Sequence, residues 1–146
     1  MSAKHDRLSV ISAITVSASR RRLGFYFHIH DENVDATKAV EFVRWIQRKL
    51  QRKLIVVWDR LNAHRTAERR IKDRSGNRIH FEYLPSYSPQ LNPVEQIWQH
   101  SKWVDLSNHL PRDVFELSDN VFSSLAVMQT EQQLLRSFFA HAGLPL

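Results

Sequence analysis

The stretch Lys53-Leu54-Ile55-Val56-Val57-Trp58-Asp59-Arg60-Leu61-Asn62-Ala63-His64 decides how the rest of this chain is read. Five apolar residues in a row, rich in β-branched side chains, suit a strand buried on both faces, as in a sheet covered by helices. The run stops on an acid, Asp59. In open α/β sheets, ligands and catalytic groups gather at the carboxyl ends of strands. A second segment belongs with it: Tyr87-Ser88-Pro89-Gln90-Leu91-Asn92-Pro93-Val94-Glu95-Gln96-Ile97-Trp98. There Asn92 suits a helix N-cap, Pro93 the first helical position, and Glu95 the third.

Between these segments, Asn62 to Asp73 reads as a helix stopped by Ser75-Gly76-Asn77. Arg78 to Leu84 reads as a strand, with Ile79, Phe81 and Tyr83 alternating against polar neighbours. Upstream, Leu8 to Ala18 and Leu23 to His30 are two strands joined by the short turn Ser19-Arg20-Arg21-Arg22, an antiparallel hairpin. Asp35 or Asn33 caps a helix in which Ala36, Val40, Val43, Ile46 (or Gln47) and Leu50 recur at helical spacing. Arg44, Arg48 and Arg52 fall on its opposite side. Downstream, the helix begun at Pro93 runs to about Leu106. Leu110-Pro111-Arg112-Asp113 starts another, with Val114, Leu117, Val121, Leu125 and Met128 as its apolar stripe. Leu134, Leu135, Phe138 and Phe139 continue that stripe past a kink. The order of elements predicts an α/β fold: one mixed sheet covered on both faces by helices, in a single domain over residues 1–146.

The chain has 146 residues, 42% of them hydrophobic and 25% charged, which suffices for one domain with a real core. It has no cysteine, so disulfides and thiolate metal sites are excluded. No apolar run approaches a membrane span, and Met1 to Arg7 lacks the apolar core of a signal peptide. The net charge of +6 is unevenly spread. Residues 1–80 hold 18 Lys/Arg and 8 Asp/Glu, whereas residues 81–146 hold 3 and 7. A basic half of this kind is the footprint of a nucleic-acid surface, or else a set of solvated helix faces. Arg44, Arg48, Arg52, Arg65 and Arg69 are the candidates for DNA-backbone contact.

Asp59 and Glu95 are candidate metal-holding, catalytic carboxylates. A strand end and the first turn of a helix packed on that sheet can meet at one rim, and hard oxygen ligands suit Mg²⁺ or Mn²⁺. Two such ions about 3.5–4 Å apart serve phosphodiester chemistry by activating the attacking oxygen and stabilising the leaving one. Two carboxylates hold a metal pair poorly, so a third acid is expected. Each residue also has a purely structural reading. Glu95 with Asn92 is close to a capping box, and Asp59 could cap the helix after it. Asn62 and His64 could be ordinary polar residues of a first helical turn. Trp58, Trp98 and Trp103 are core or rim aromatics on the simplest view.

Taken together, Val56-Val57-Trp58-Asp59-Arg60-Leu61-Asn62-Ala63-His64-Arg65 and Leu84-Pro85-Ser86-Tyr87-Ser88-Pro89-Gln90-Leu91-Asn92-Pro93-Val94-Glu95-Gln96-Ile97-Trp98 resemble the DDE superfamily of transposases, specifically its mariner-like insertion-sequence branch. The resemblance runs from about Arg7 to the C-terminus. It implies an RNase H-like fold and metal-dependent DNA cleavage and strand transfer by three acids, with two metal ions in a complete site. On that pattern Asp59 is the second acid and Glu95 the third. Asn92 fixes the turn that presents Glu95, and Asn62 and His64 stand near the ligands or the DNA. The implied partners are DNA, as transposon ends and target, in a bacterial cytoplasm and on its nucleoid.

The chain departs from the family pattern at its start. The family's first acid lies on a strand upstream of the hairpin, between the second and fourth strands, and no strand precedes Leu8. Asp6 is too close to Leu8, and Asp31 and Glu32 follow the third strand. The first aspartate is therefore expected to be absent, together with the helix-turn-helix that finds transposon ends. A partner chain or a frameshifted N-terminal part would have to supply them. Without that strand, the hairpin and the Asp59 strand lose a shared neighbour and expose backbone groups. The rival to a transposase catalytic domain is a non-catalytic DNA-binding or regulatory fragment. A nuclease or recombinase of the same fold is a third reading.

Overall fold

The computed structural model describes residues 8–75, 78–86, 88–95, 97, 114–144 and 146. It is a mixed α/β fold, as expected. Its elements are β1 (Ser9–Val16), β2 (Leu23–His30), α1 (Ala36–Leu50), β3 (Leu54–Trp58), α2 (Asn62–Ser75), β4 (Ile79–Tyr83), a 3-10 turn (Pro89–Leu91), α3 (Val114–Met128) and α4 (Gln132–His141). The expected positions of Gly76-Asn77, of the 98–106 helix extension and of the 110–113 helix start lie outside the described residues, as do Trp98 and Trp103. Among the described residues the strands do not join into one sheet. β1 pairs with β2 and β3 with β4, as two sheets of two strands. The chain divides into two compact units, one of residues 1–33 and 90–146 and one of residues 34–89.

The first unit is built on the hairpin. β1 and β2 run antiparallel in a register that sets Ser9 opposite His30 and Val16 opposite Leu23. Their turn closes through Ser17, whose carbonyl accepts from Arg20 N and whose hydroxyl accepts from Arg22 N. Arg20 takes a left-handed backbone at φ 61°. Gly24 is required by a close approach. A Cβ there would lie 2.5 Å from Thr15 Oγ1, on the strand opposite. Leu23, Phe25 and Phe27 point from one face of β2 into a core with Ile97, Val121, Leu125, Met128, Leu135 and Phe138. The expected apolar stripe is thus present, carried by two helices separated at 129–131 rather than one helix with a kink. Burying one such side chain contributes about 2 kcal/mol.

The free edge of β2 is closed by side chains. Gln132 receives Leu23 N at its Oε1 (2.8 Å) and donates from Nε2 to Leu23 O (2.5 Å). Gln129 donates to Phe25 O at 2.9 Å. Arg136 donates to both Arg20 O and Arg21 O in the hairpin turn. An antiparallel edge strand turns the N–H and C=O of alternate residues outward, and two of those residues here are Leu23 and Phe25. The amides stand where a neighbouring strand's backbone would otherwise be.

The second unit is a β3–α2–β4 crossover with α1 beside it. β3 and β4 are parallel, with Leu54 opposite Ile79 and Trp58 opposite Tyr83. Asp35 caps α1 by accepting from Lys38 N at 2.9 Å, and Gln51 ends it in a left-handed conformation. Ala39, Val40, Phe42, Val43 and Ile46 of α1 and Ala67 and Ile71 of α2 are buried, with Trp58, Ile79 and Phe81 from the sheet. Arg70 ties the two helices by donating to Thr37 Oγ1.

β3 is not buried on both faces, which corrects the reading of its continuous apolar run. Trp58 is buried, and Leu54 and Val56 are half-buried on the same side. Ile55 is 72% exposed and Val57 55% exposed on the other. An unbroken apolar run shows only that both faces could be covered. Among the described residues, cover is present on one.

The double bond from Gln132 to Leu23 gives a stability test. Gln132→Ala leaves a partly buried donor and acceptor unpaired and should lower unfolding free energy by about 1–3 kcal/mol in urea titrations. Gln132→Glu keeps the acceptor for Leu23 N, loses the donor and should fall between the two.

Candidate active site

Asp59 is the first residue past the carboxyl end of β3. Its side chain is half exposed. Oδ1 accepts from Leu61 N at 3.2 Å, so the chain turns immediately into α2. The same oxygen lies 2.8 Å from His64 Nδ1, which is also 3.2 Å from the Asp59 carbonyl. With its proton on Nδ1, His64 donates to both. Among the described residues these bonds fall on Oδ1 and leave Oδ2 open. The Asp59 backbone thus begins α2 with the local cap that a purely structural reading anticipates, using one of two carboxylate oxygens.

His64 is held against the sheet end by a ring stack. Its ring stacks on Trp58 with centroids 4.4 Å apart and planes 2° apart. Trp58 in turn stacks on Phe81 of β4 at 5.3 Å. Trp58 is therefore more than a core aromatic. It is the platform that sets the imidazole, and the imidazole sets the carboxylate. The sequence carried no periodic signal for a Trp–His pair six residues apart, because the contact depends on the turn at 59–61. Asn62 opens α2 and is exposed.

Behind this end, a second polar group binds α2 to β4. Tyr83 OH donates to Glu68 Oε1, and Lys72 Nζ lies 2.5 Å from Glu68 Oε2. Lys72 first, and then the Tyr83 hydroxyl, hold the Glu68 carboxyl below its ordinary range. Burial, and then the Glu68 hydrogen bond, push the Tyr83 hydroxyl up. Glu68 and Lys72 are legible as an i,i+4 helix pair. Tyr83 as their third member is not.

Glu95 belongs to the other unit. Asn92 Oδ1 accepts from Val94 N at 3.2 Å, and the Asn92 carbonyl accepts from Glu95 N at 3.0 Å. That is the expected N-cap, with Pro93 in the first position. The reciprocal half of a capping box, from the Glu95 carboxylate to Asn92 N–H, is not made among the described residues. Glu95 is exposed, and Ile97, two residues on, is fully buried in the hairpin core. The cap and the buried Ile97 fix the backbone that carries Glu95, and among the described residues its carboxylate has no hydrogen-bond partner.

Of the five candidate phosphate contacts, Arg48, Arg52, Arg65 and Arg69 are exposed and Arg44 is half-buried. All five lie in the 34–89 unit with Asp59. Arg69 bonds Thr66 Oγ1 within its own helix. Asp59 and Glu95 offer hard oxygen donors of the kind divalent ions take. Among the described residues no group of three or more His, Cys, Asp or Glu side chains is placed to hold a metal.

The described residues thus present an acid at the carboxyl edge of a parallel β–α–β unit, a capped glutamate and exposed arginines on the helices of an α/β fold. The sequence model of the family described as DDE superfamily endonuclease matches residues 1–117, and the chain belongs to that family. Its members are endonucleases that act on DNA with divalent metal ions. No curated protein matches the chain. No helix among the described residues is long and apolar enough to cross a membrane.

The Tyr83–Glu68 bond predicts how stability varies with pH. Glu68 is depressed, so its contribution is present above its unfolded value and lost as acid protonates the folded carboxylate. Tyr83 is raised, so its contribution is present below its ordinary value of about 10 and lost as pH rises through the higher folded value. Thermal melts across pH should fall at both ends, and Tyr83→Phe should flatten the alkaline limb.

Proposed function

We propose that this chain is the catalytic-domain portion, over residues 1–146, of a DDE transposase of the mariner-like insertion-sequence branch. The observation that carries the reading is the family match over residues 1–117, which spans both the Asp59 and the Glu95 segments. In the assembled enzyme a phosphodiester bond at the transposon end is hydrolysed, and the freed 3′-hydroxyl attacks target DNA. Asp59 and Glu95 are the metal-holding acids, for Mg²⁺ or Mn²⁺, and two ions serve a complete site. Bound there, the metals supply charge stabilisation for the attacking and leaving oxygens.

The chain's own residues do the positioning. Leu61 N and His64 hold Asp59 Oδ1, and Oδ2 is the oxygen that would serve a metal. The Asn92 cap sets the turn of Glu95. Arg44, Arg48, Arg52, Arg65 and Arg69 hold backbone phosphates by sequence-independent charge. The first aspartate and the end-recognising helix-turn-helix come from a partner chain or a frameshifted N-terminal part. The protein works in the bacterial cytoplasm, on nucleoid DNA.

A second reading, a DNA-binding or regulatory fragment without catalysis, is favoured by the exposed arginines of the 34–89 unit, which bind phosphate whether or not the acids act. A paired experiment separates the two. The chain is expressed alone and fused to any aspartate-bearing strand encoded in the frames just upstream, then tested for DNA binding and for nicking with Mg²⁺. On the catalytic reading the fused protein nicks DNA, and Asp59→Asn or Glu95→Gln abolishes nicking while leaving binding intact. Binding without metal-dependent nicking in the fused protein establishes the regulatory reading. On either reading, replacing one of the five arginines that touches phosphate lowers the slope of log affinity against log salt by about 0.9.

A further inference from the structure

The hairpin turn concentrates charge. Arg20, Arg21 and Arg22 stand in a row at its tip, and all three are exposed. A fourth guanidinium reaches them from α4. Arg136 is half-buried and donates from one nitrogen to the carbonyls of Arg20, at 2.9 Å, and Arg21, at 2.8 Å. Among the described residues none of the four is ion-paired to a carboxylate. Like charges gathered this closely repel one another. A turn that needed only closure would be served by a neutral donor, as Gln132 serves Leu23 one residue past it. Here the clasp adds a positive charge beneath three others, where a carboxylate would have neutralised them.

The tip is also fixed. Ser17 N donates to Arg22 O at 3.0 Å, Arg20 N donates to Ser17 O at 2.8 Å, and Arg22 N donates to the Ser17 hydroxyl at 3.1 Å. With the two bonds from Arg136, the backbone is held throughout, so binding an anion orders side chains alone. The Ser19 hydroxyl, 3.3 Å from that of Ser17, is a further donor at the same tip. Arginine presents a planar fork that meets phosphate oxygens in pairs. Side chains of successive residues splay around a turn, so one small anion does not meet them all. A polyanion charged along its whole length does, and duplex DNA carries one charge for about every 1.7 Å of its axis.

We propose that the turn Ser17–Arg22, with Arg136 beneath it, is an anchor for the phosphate backbone of duplex DNA, separate from the five arginines of the 34–89 unit. The inference rests on the reading of this chain as a DNA-acting protein. It adds a contact in the unit that does not carry Asp59.

Binding to a mixed-sequence DNA duplex is titrated across salt concentrations for three forms of the chain. They are the parent, Arg21→Gln with Arg22→Gln, and Arg21→Lys with Arg22→Lys. Each arginine that touches phosphate adds about 0.9 to the slope of log affinity against log salt, roughly an eightfold affinity at 0.1 M salt. The glutamine pair should lower the slope by about 0.9–1.8 and weaken binding about 8- to 60-fold. The lysine pair, which keeps the charge, should keep the slope. Both positions are exposed, so thermal melts of the three forms should coincide.

A second measurement locates the contact. The chain has no cysteine, so Ala18→Cys puts a single thiol, and a photo-crosslinker on it, at an exposed position of the turn. Ser123→Cys is the comparison. Ser123 is exposed on α3 beside Phe122, which packs edge-on against Phe27, five residues along β2 from Arg22. Duplex DNA should be captured from position 18 and much less from 123. A parent that binds DNA while the glutamine pair keeps its slope overturns the anchor and leaves the DNA-acting reading standing. Capture no stronger at 18 than at 123 does the same. A parent that does not bind the duplex sinks both.

Discussion

Every backbone N–H and C=O in this fold needs a partner, and two sheets of only two strands leave many of them facing outward. The hairpin and the β3–β4 pair meet that demand differently. On β2 the glutamines of the chain's C-terminal part act as a substitute strand, and an arginine clasps the turn beyond it. Gln132 and Arg136 lie on α4 and Gln129 in the link before it, and α3 and α4 also supply most of the apolar floor under Leu23, Phe25 and Phe27. On β3 one edge is closed by β4, and among the described residues no strand pairs with the other; one face is packed, and Ile55 and Val57 on the other are exposed.

The consequence for the candidate site is that Asp59 sits where the ordered sheet ends. Its position does not rest on a surrounding sheet. It rests on a short relay, in which Phe81 supports Trp58, Trp58 supports His64, and His64 holds one carboxylate oxygen. Glu95 is held by another device, a helix cap followed by a buried isoleucine. Both acids are thus presented with an oxygen unspent by local structure. Asp59 spends one oxygen on the local cap that a structural reading gives it, and Glu95 does not make the capping-box bond among the described residues.

Much of this was legible in the chain. The hairpin, the basic helix with its Asp35 cap, the strand ending on Asp59, the alternation of Ile79 and Phe81, and the Asn92 cap follow from periodicity and capping chemistry, which act over a few residues. The parts that were not legible depend on distant partners. The exposure of Ile55 and Val57 turns on whether anything covers that face, and five apolar residues in a row read the same either way. The Gln132–Leu23 and Tyr83–Glu68 bonds join residues whose types commonly serve as solvated surface, with no spacing that marks them. The Trp58–His64 stack depends on a turn whose geometry the apolar run does not encode.

The tie between Gln132 and Leu23 spans 109 positions of chain. During synthesis the hairpin emerges well before the groups that close its edge and floor its core. The 34–89 unit is continuous and has all its strands and helices once residue 89 has left the ribosome. Assembly is therefore inverted relative to chain order: the 34–89 unit can fold while the hairpin waits for the helices downstream of it. During that wait Leu23, Phe25 and Phe27 stand without their floor. α4 is then less an appendage than the step that completes the hairpin.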